Sequence, residues 1–295
     1  VKHCVAMRLI SYGPVGTECP GMLSGDGRWI TPISAIDVTL PRTMRGLLAG
    51  GHVERLLRYP AAQSDGAIAS DSVRFGPPIT DPGKIICVGL NYRGHATEQN
   101  KPWPEQPMLF SKPTTALCGA RDTIVLPSED CGPDYEVELV VVIGRGGRAI
   151  TKSAAFEHVA GYCIGNDISG RRWQKSDVQY FRAKGCDTFF PCGPFLVTAD
   201  EILDPTTLRL TTTLGGVIMQ DALVADLIHD IPTLISYISR YMTLEPGDLI
   251  STGTPAGVGC YRTPPRFLRP GDTVTCSISQ TTDLGQLINP VVAAS

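Results

Sequence analysis

No apolar run in this 295-residue chain approaches the roughly 20 residues that a membrane-spanning helix needs; the longest, Leu139-Val140-Val141-Val142-Ile143, is strand-sized. An excess of one charge is lacking too. Lys and Arg number 26 against 29 Asp and Glu, a net charge of −3, which gives no basic footprint for nucleic acid or an anionic membrane surface. None of the ten cysteines belongs to a C-x-x-C pair, so zinc-ribbon and thioredoxin readings have no support. Cys87, Cys163 and Cys276 lie inside β-like runs, where a free thiol behaves as a small hydrophobe. Residues 1–7 lack the apolar stretch of a secretory signal, and Met7 is a candidate natural start after a short extension. Together these features read as a reducing, cytoplasmic protein without nucleic-acid or membrane partners. No serine sits in G-x-S-x-G, which leaves a serine hydrolase unsupported.

What is present is core-forming material. Hydrophobic residues make up 42% and charged residues 19%, with a mean hydropathy of +0.03, enough for a sizeable core in a soluble globular chain. The 31 Gly and 24 Pro mostly end short apolar runs, which points to a β-rich α+β fold. Pro246-Gly247-Asp248 and Pro270-Gly271-Asp272 each read as a turn leading into a strand. Helices are expected over residues 43–58, over 153–160 with Ser153 as N-cap, and over 231–242 with Pro232 in the first turn. A small, polar and Pro/Gly-rich stretch over residues 60–83 reads as a linker. It separates a small N-terminal domain, 1–80, from a chemically dense domain, 81–295.

The strongest local signal is Asp134-Tyr135-Glu136-Val137-Glu138-Leu139. On a strand the three acids share one face and Tyr135, Val137 and Leu139 the other. An E-x-E is more often a solvated edge, but the apolar run after Glu138 argues against full exposure. Carboxylates held this close raise one another's pKa or require a cation. Asp167 follows another β-like run, and three acids without nearby His or Cys favour a hard ion with oxygen ligands, Mg²⁺, Mn²⁺ or Ca²⁺, over zinc. Arg171 and Gln174 follow Asp167 at helical spacing. His95 and Glu98 stand three apart on an expected helix, where the carboxylate can orient the imidazole as a general base toward water. Lys184 by itself reads as a solvated cation. Gly253-Thr254-Pro255-Ala256-Gly257-Val258-Gly259 is a loop whose amides can approach an anion, without the lysine of a P-loop. Gly144-Arg145-Gly146-Gly147 does not complete G-x-G-x-x-G and reads as a hairpin turn. The Pro-rich stretch around Trp103 reads as a surface loop or as a lid over substrate.

Taken in order, these segments resemble the fumarylacetoacetate hydrolase superfamily over roughly residues 82–293. They are Val88-Gly89-Leu90-Asn91-Tyr92 with His95 and Glu98, Leu109-Phe110-Ser111-Lys112-Pro113, Tyr135-Glu136-Val137-Glu138-Leu139, Gly165-Asn166-Asp167, Lys184 with Asp187-Thr188-Phe189, and Ser251-Thr252-Gly253-Thr254-Pro255. The look is nearest to the branch with diketo-deoxy-sugar-acid hydrolases and proteins labelled ureidoglycolate lyase. The resemblance implies mixed sheets rolled around the site, a small N-terminal domain, a homodimer and a small keto-acid substrate. It implies that Glu136, Glu138 and Asp167 bind Mg²⁺ or Mn²⁺, with Ca²⁺ a further option, and that His95 with Glu98 activates water. Lys184 is implied as a catalytic oxyanion contact, and Arg171, Gln174, Thr188, Gly253 and Thr254 as substrate contacts. The expected reaction is hydrolytic C–C cleavage of a 2,4-diketo acid through a metal-bound pyruvate enolate. The alternatives are an oxaloacetate-type decarboxylase and a hydroxydienoate isomerase or tautomerase on the same site, with a non-catalytic binding protein behind them. Leu214-Gly215-Gly216 and Gly185-Cys186 depart from the family's pattern.

Overall fold

The computed structural model describes residues 7–56, 59, 66–279 and 282–294. Its centre is strand Val137–Ile143, buried along its whole length. Period-2 alternation sends Leu139, Val141 and Ile143 into one apolar cluster and Val140 and Val142 into another, on opposite faces of the sheet. A strand covered on both sides has no polar face, so it reads as a continuous apolar run. It pairs antiparallel with Val159–Asn166 on one side and Leu249–Ser251 on the other.

These strands belong to an 11-stranded mixed sheet. Beyond Val159–Asn166 lies Phe190–Thr198, to which Arg8–Tyr12 adds antiparallel, followed by Cys19–Leu23, Trp29–Pro32 and Ile68–Ala69. Beyond Leu249–Ser251 come Ile85–Gly89, parallel to it, and Met108–Lys112. A second sheet of five strands, built on Arg209–Leu214, Val217–Leu223 and Thr273–Ser279, supplies Leu210, Val274, Cys276 and Ile278 to the Leu139–Val141 side. Gly215 and Gly216 turn its hairpin with φ of +59° and +80°. The fold is β-rich α+β, as the turn-punctuated sequence predicts. Among the described residues no helix is long and apolar enough to cross a membrane, and every cysteine is a free thiol.

Three helix expectations meet different outcomes. Ile231–Tyr241 is an α-helix, with Asp230 accepting the Thr233 N–H and Pro232 in the first turn. The helix expected over 43–58 is broken. Met44–Ala49, capped by Thr43, ends at Gly50-Gly51 before Val53–Leu56, with Gly51 at φ +66°; residues 57 and 58 lie outside the described residues. The helix expected over 153–160 is corrected to a 3₁₀ segment, Lys152–His158, without a side-chain cap. Val159 and Ala160 already belong to the strand Val159–Asn166, whose ladder buries nearly the whole run. The turn at residues 144–147 opens this longer connection rather than a tight hairpin. Part of the expected linker, Ile68–Ala69, is a strand, while residues 60–65 lie outside the described residues.

The central strand dominates the energetics. Leu139 is fully buried, so Leu139→Ala is expected to cost about 2–5 kcal/mol in urea unfolding, against under about 1 kcal/mol for Val292→Ala at a 41% exposed position.

Candidate active site

Strand directions decide where the site forms. Ile85–Gly89 and Leu249–Ser251 run parallel as neighbours, so their carboxyl ends leave the sheet at one edge. Val137–Ile143, antiparallel to Leu249–Ser251, begins at that edge, and Val159–Asn166 ends there. Glu138 lies on the strand face of Val140 and Val142, and Glu136 just before the strand. Asp167 directly follows Asn166, with its N–H donating to Glu136 O at 2.8 Å. One carboxylate oxygen each from Glu136, Glu138 and Asp167 lies within 4.8 Å of the others, and all three residues are buried.

Three largely buried cations surround this triad. Lys184 Nζ donates to Glu136 Oε2 at 2.5 Å and to Asp167 Oδ2 at 2.6 Å, and Lys112 Nζ to Asp167 Oδ1 at 2.7 Å. Arg171 spans Glu136 Oε1 at 2.6 Å and Asp134 Oδ2 at 2.9 Å. Lys184 is therefore no solvated cation. Burial works against its charge, yet Asp167 and Glu136 outweigh burial and hold the ammonium above the ordinary lysine value. Burial pushes Glu136 up, but Arg171 and Lys184 prevail and hold it well below the carboxylate range. Glu138 differs. Among the described residues it makes no ion pair, and its Oε2 accepts only from Ser251 Oγ at 2.6 Å and Gly253 N at 2.9 Å. Burial, with Asp167 and Glu136 beside it, pushes its carboxyl well above the usual range. The missing positive charge and the all-oxygen donor set fit a hard divalent ion held by Glu136, Glu138 and Asp167.

His95 and Glu98 lie on the short helix Arg93–Glu98 that follows strand Ile85–Gly89. His95 Nδ1 is 2.5 Å from Glu98 Oε1, and Glu98 Oε2 accepts the Gly257 N–H at 2.9 Å. The Tyr261 ring stands edge-on to the imidazole at 6.4 Å. The Gly-rich loop does approach anions, but they are the protein's own. Gly253 N goes to Glu138, Gly257 N to Glu98, and Gly259 N and Cys260 N to Asp134. A Cβ on Gly257 or Gly259 would lie 2.0 Å from the carbonyl oxygen of Met219 or Arg266, so both positions require glycine.

A cavity of about 620 Å³ opens above these groups, with His95, Glu136, Glu138, Arg171, Gln174, Lys184 and Thr254 in its walls. Two expected substrate contacts have other partners in the fold. Gly253 has its N–H on Glu138, and Thr188 Oγ1 accepts from Val125 N at 2.9 Å; neither lines the cavity. Asp167 does not share a helix with Arg171 and Gln174, because Ser169–Gly170 pairs with Pro133–Asp134 before the helix starts at Arg171. Arg171 does hold Gln174, donating to its Oε1 at 3.0 Å. Trp103 is 56% exposed, stacks under the Arg93 guanidinium and stays outside the cavity, while Lys101 and Met108 at the ends of its loop line it. Sequence reasoning gave no role to Lys112 or Gln220. Gln220 bonds Val137 N, Thr212, Thr254 and Pro255 and locks the loop to the strand. The signal for Lys112 was its place in the segment Leu109-Phe110-Ser111-Lys112-Pro113, a lysine closing a β-like run.

Residues 84–292 match the family model described as fumarylacetoacetate (FAA) hydrolase C-terminal. The chain belongs to the fumarylacetoacetate hydrolase family of enzymes. It is 40% identical over 291 residues to the oxaloacetate tautomerase FAHD2A, mitochondrial, of Bos taurus, covering 97% of this chain and 92% of that one. Among solved structures, the fumarylacetoacetate hydrolase of Exiguobacterium antarcticum is 34% identical with a TM-score of 0.81, over 98% of this chain and 100% of that one. The maleylpyruvate hydrolase of Sphingobium sp. SYK-6, in complex with manganese(II) ion and pyruvate, is 30% identical with a TM-score of 0.78 over the same shares.

A family member with a raised Glu138 carboxyl must release a proton when that carboxylate ligates a metal, so affinity is expected to rise with pH. Titration of Mn²⁺ into the protein should give heats that differ between buffers of different ionisation enthalpy, and Glu138→Gln should remove the difference. Equal heats in the unsubstituted protein would contradict this account.

Proposed function

We propose that the protein is a divalent-metal-dependent tautomerase of a small 2-oxo acid of the oxaloacetate type. The observation that carries this reading is one cavity with a triad fit for a hard cation and a carboxylate-oriented imidazole. The tautomerase name of relatives that match along nearly the whole chain supports it. The same support shifts the balance away from hydrolytic C–C cleavage, which sequence reasoning favoured, to a reaction in which only a proton moves.

Glu136, Glu138 and Asp167 would hold the ion, Mg²⁺ or Mn²⁺ by its donor set. When bound, it supplies Lewis-acid polarisation of the 2-oxo group, which acidifies the neighbouring C–H. His95 is the base. Glu98 lies on Nδ1, which leaves Nε2, 2.7 Å from Gln99 Nε2, to take the substrate proton once the Gln99 amide gives way. The C3–H bond breaks, its electron pair forms the C2=C3 double bond, and the proton passes to Nε2. Transfer of that proton to the C2 oxygen completes the enol, with no atom gained or lost. Lys184 and Arg171, fixed by the carboxylates they pair with, keep the cavity floor from accumulating negative charge as the enolate develops. Gln174, whose Oε1 is taken by Arg171, offers its amide N–H groups to the substrate carboxylate, and Thr254 closes the wall behind it.

Mass spectrometry of the oxaloacetate reaction together with the ultraviolet absorbance of the enol, with and without chelator, separates the chemistries: a chelator-sensitive change in enol absorbance at unchanged mass is expected. Release of CO₂ or of two carbon fragments would replace this reading with decarboxylation or hydrolysis. Positioned general-base catalysis contributes about 10²–10⁴ in rate, so His95→Ala should lower kcat by that factor with Mn²⁺ affinity retained. Near-normal kcat would exclude His95 as the base.

A further inference from the structure

The buried floor of the cavity is balanced for one substrate carboxylate, and a second would arrive there without a counter-charge. Four acids, Asp134, Glu136, Glu138 and Asp167, are set against three cations, Lys112, Lys184 and Arg171. With the divalent ion that the triad fits, one positive charge remains, and the carboxylate beside the 2-oxo group neutralises it. Farther out the lining changes. Lys101 and Lys175 are exposed, and both line the cavity. Among the described residues neither ammonium has a hydrogen bond or an ion pair. Arg172, the other exposed cation of the lining, is already taken: it donates to Asp130 Oδ2 at 2.5 Å.

We propose that Lys175 and Lys101 bind the far carboxylate of the substrate and select 2-oxo acids that carry two carboxylates, a role that rests on the 2-oxo-acid reading above. Helix geometry supports this for Lys175. The helix Arg171–Ser176 begins with the guanidinium that reaches Glu136 Oε1 at 2.6 Å, so its first residue marks the floor. Lys175 stands four residues on, on the same face and about 5.4 Å along the axis, and its exposure puts it toward the mouth. A four-carbon diacid separates its carboxyl carbons by three bonds of about 1.5 Å each, a span of the same order as that one turn. Lys101 comes from a different element. Its backbone N–H donates to Ala96 O at 3.0 Å, which ties it to the end of the helix that carries His95. An ammonium is a point charge on a flexible stem, so the two lysines can close on a carboxylate without a fixed fork geometry. At a mouth open to water each contributes modestly, and the preference depends on the pair.

Calorimetric titration of the Mg²⁺-loaded full chain with malate and with 2-hydroxybutanoate tests this directly. The two ligands differ only in ending on a carboxylate or a methyl group, and neither enolises. Malate is expected to bind about tenfold more tightly, the scale of a hydrogen bond to a charged group. Lys175→Met and Lys101→Met should each weaken malate about threefold and leave 2-hydroxybutanoate unchanged. The double variant should abolish the preference, and Lys175→Arg should keep it. Added salt should shrink the advantage of malate, since the contact is partly solvated. Thermal melts matching the unsubstituted protein would show the variants folded. No preference in the unsubstituted protein, or one that survives the double variant, overturns the assignment, as does an equal loss for both ligands. Failure of either ligand to bind at all would remove the 2-oxo-acid reading and this role with it. Because binding is read without turnover, release of CO₂ from oxaloacetate would overturn the tautomerase reading alone.

Discussion

Four carboxylates, Asp134, Glu136, Glu138 and Asp167, are buried within one strand end of one another, and the structure around them exists to make that tolerable. An isolated buried carboxylate is costly, and removing one partner of a buried pair leaves the other charge uncompensated. Each carboxylate therefore recruits a different part of the chain. Asp134 takes Arg171 and the amides of Gly259 and Cys260. Asp167 takes lysines from the strand Met108–Lys112 and the short helix Phe181–Lys184. Glu138 draws in Ser251 and Gly253, and Glu136 shares Arg171 and Lys184 with its neighbours. Segments far apart in sequence are joined at one point by charge, and the cavity is the space their convergence leaves.

The geometry gives each acid a separate chemical character. Glu136, flanked by two cations, is held in its ionised form, while Glu138, with hydrogen bonds but no ion pair among the described residues, is pushed the other way. His95 lines the same cavity, held by Glu98, which the Gly257 amide fixes in turn. The imidazole and the acidic triad thus sit on separate supports, one on a helix and the other at the end of the sheet.

Much of this was legible in the sequence because it depends on local periodicity. The acids before the apolar run, the dyad three residues apart and the helix at Ile231–Tyr241 all follow from spacing of 2 or 3.6. What escaped depends on partners distant in sequence. Lys112 and Lys184 carry no local sign of burial, since a lysine's default is water, and only the fold brings Asp167 to them. The amides of residues 253–260 were legible as anion donors, but not that their anions were Glu98, Asp134 and Glu138. The expected helix at 153–160 failed where strand pairing overrode a weak cap signal, and the one at 43–58 where two glycines interrupt it. The N-terminal strands were the least patterned, and they join the large sheet edge to edge through Arg8–Tyr12 on Phe190–Thr198.

Gly257 and Gly259 leave no room for even a methyl group, and each presents its amide to an acid of the site. This side of the chamber is closed to evolutionary experiment: any side chain there would dislodge Glu98 or Asp134 before it could meet a ligand. Lys101, Met108 and Lys175, exposed residues of the lining, carry no such constraint. Divergence in what this scaffold accepts is thereby channelled to that exposed rim, and laboratory redesign should begin there.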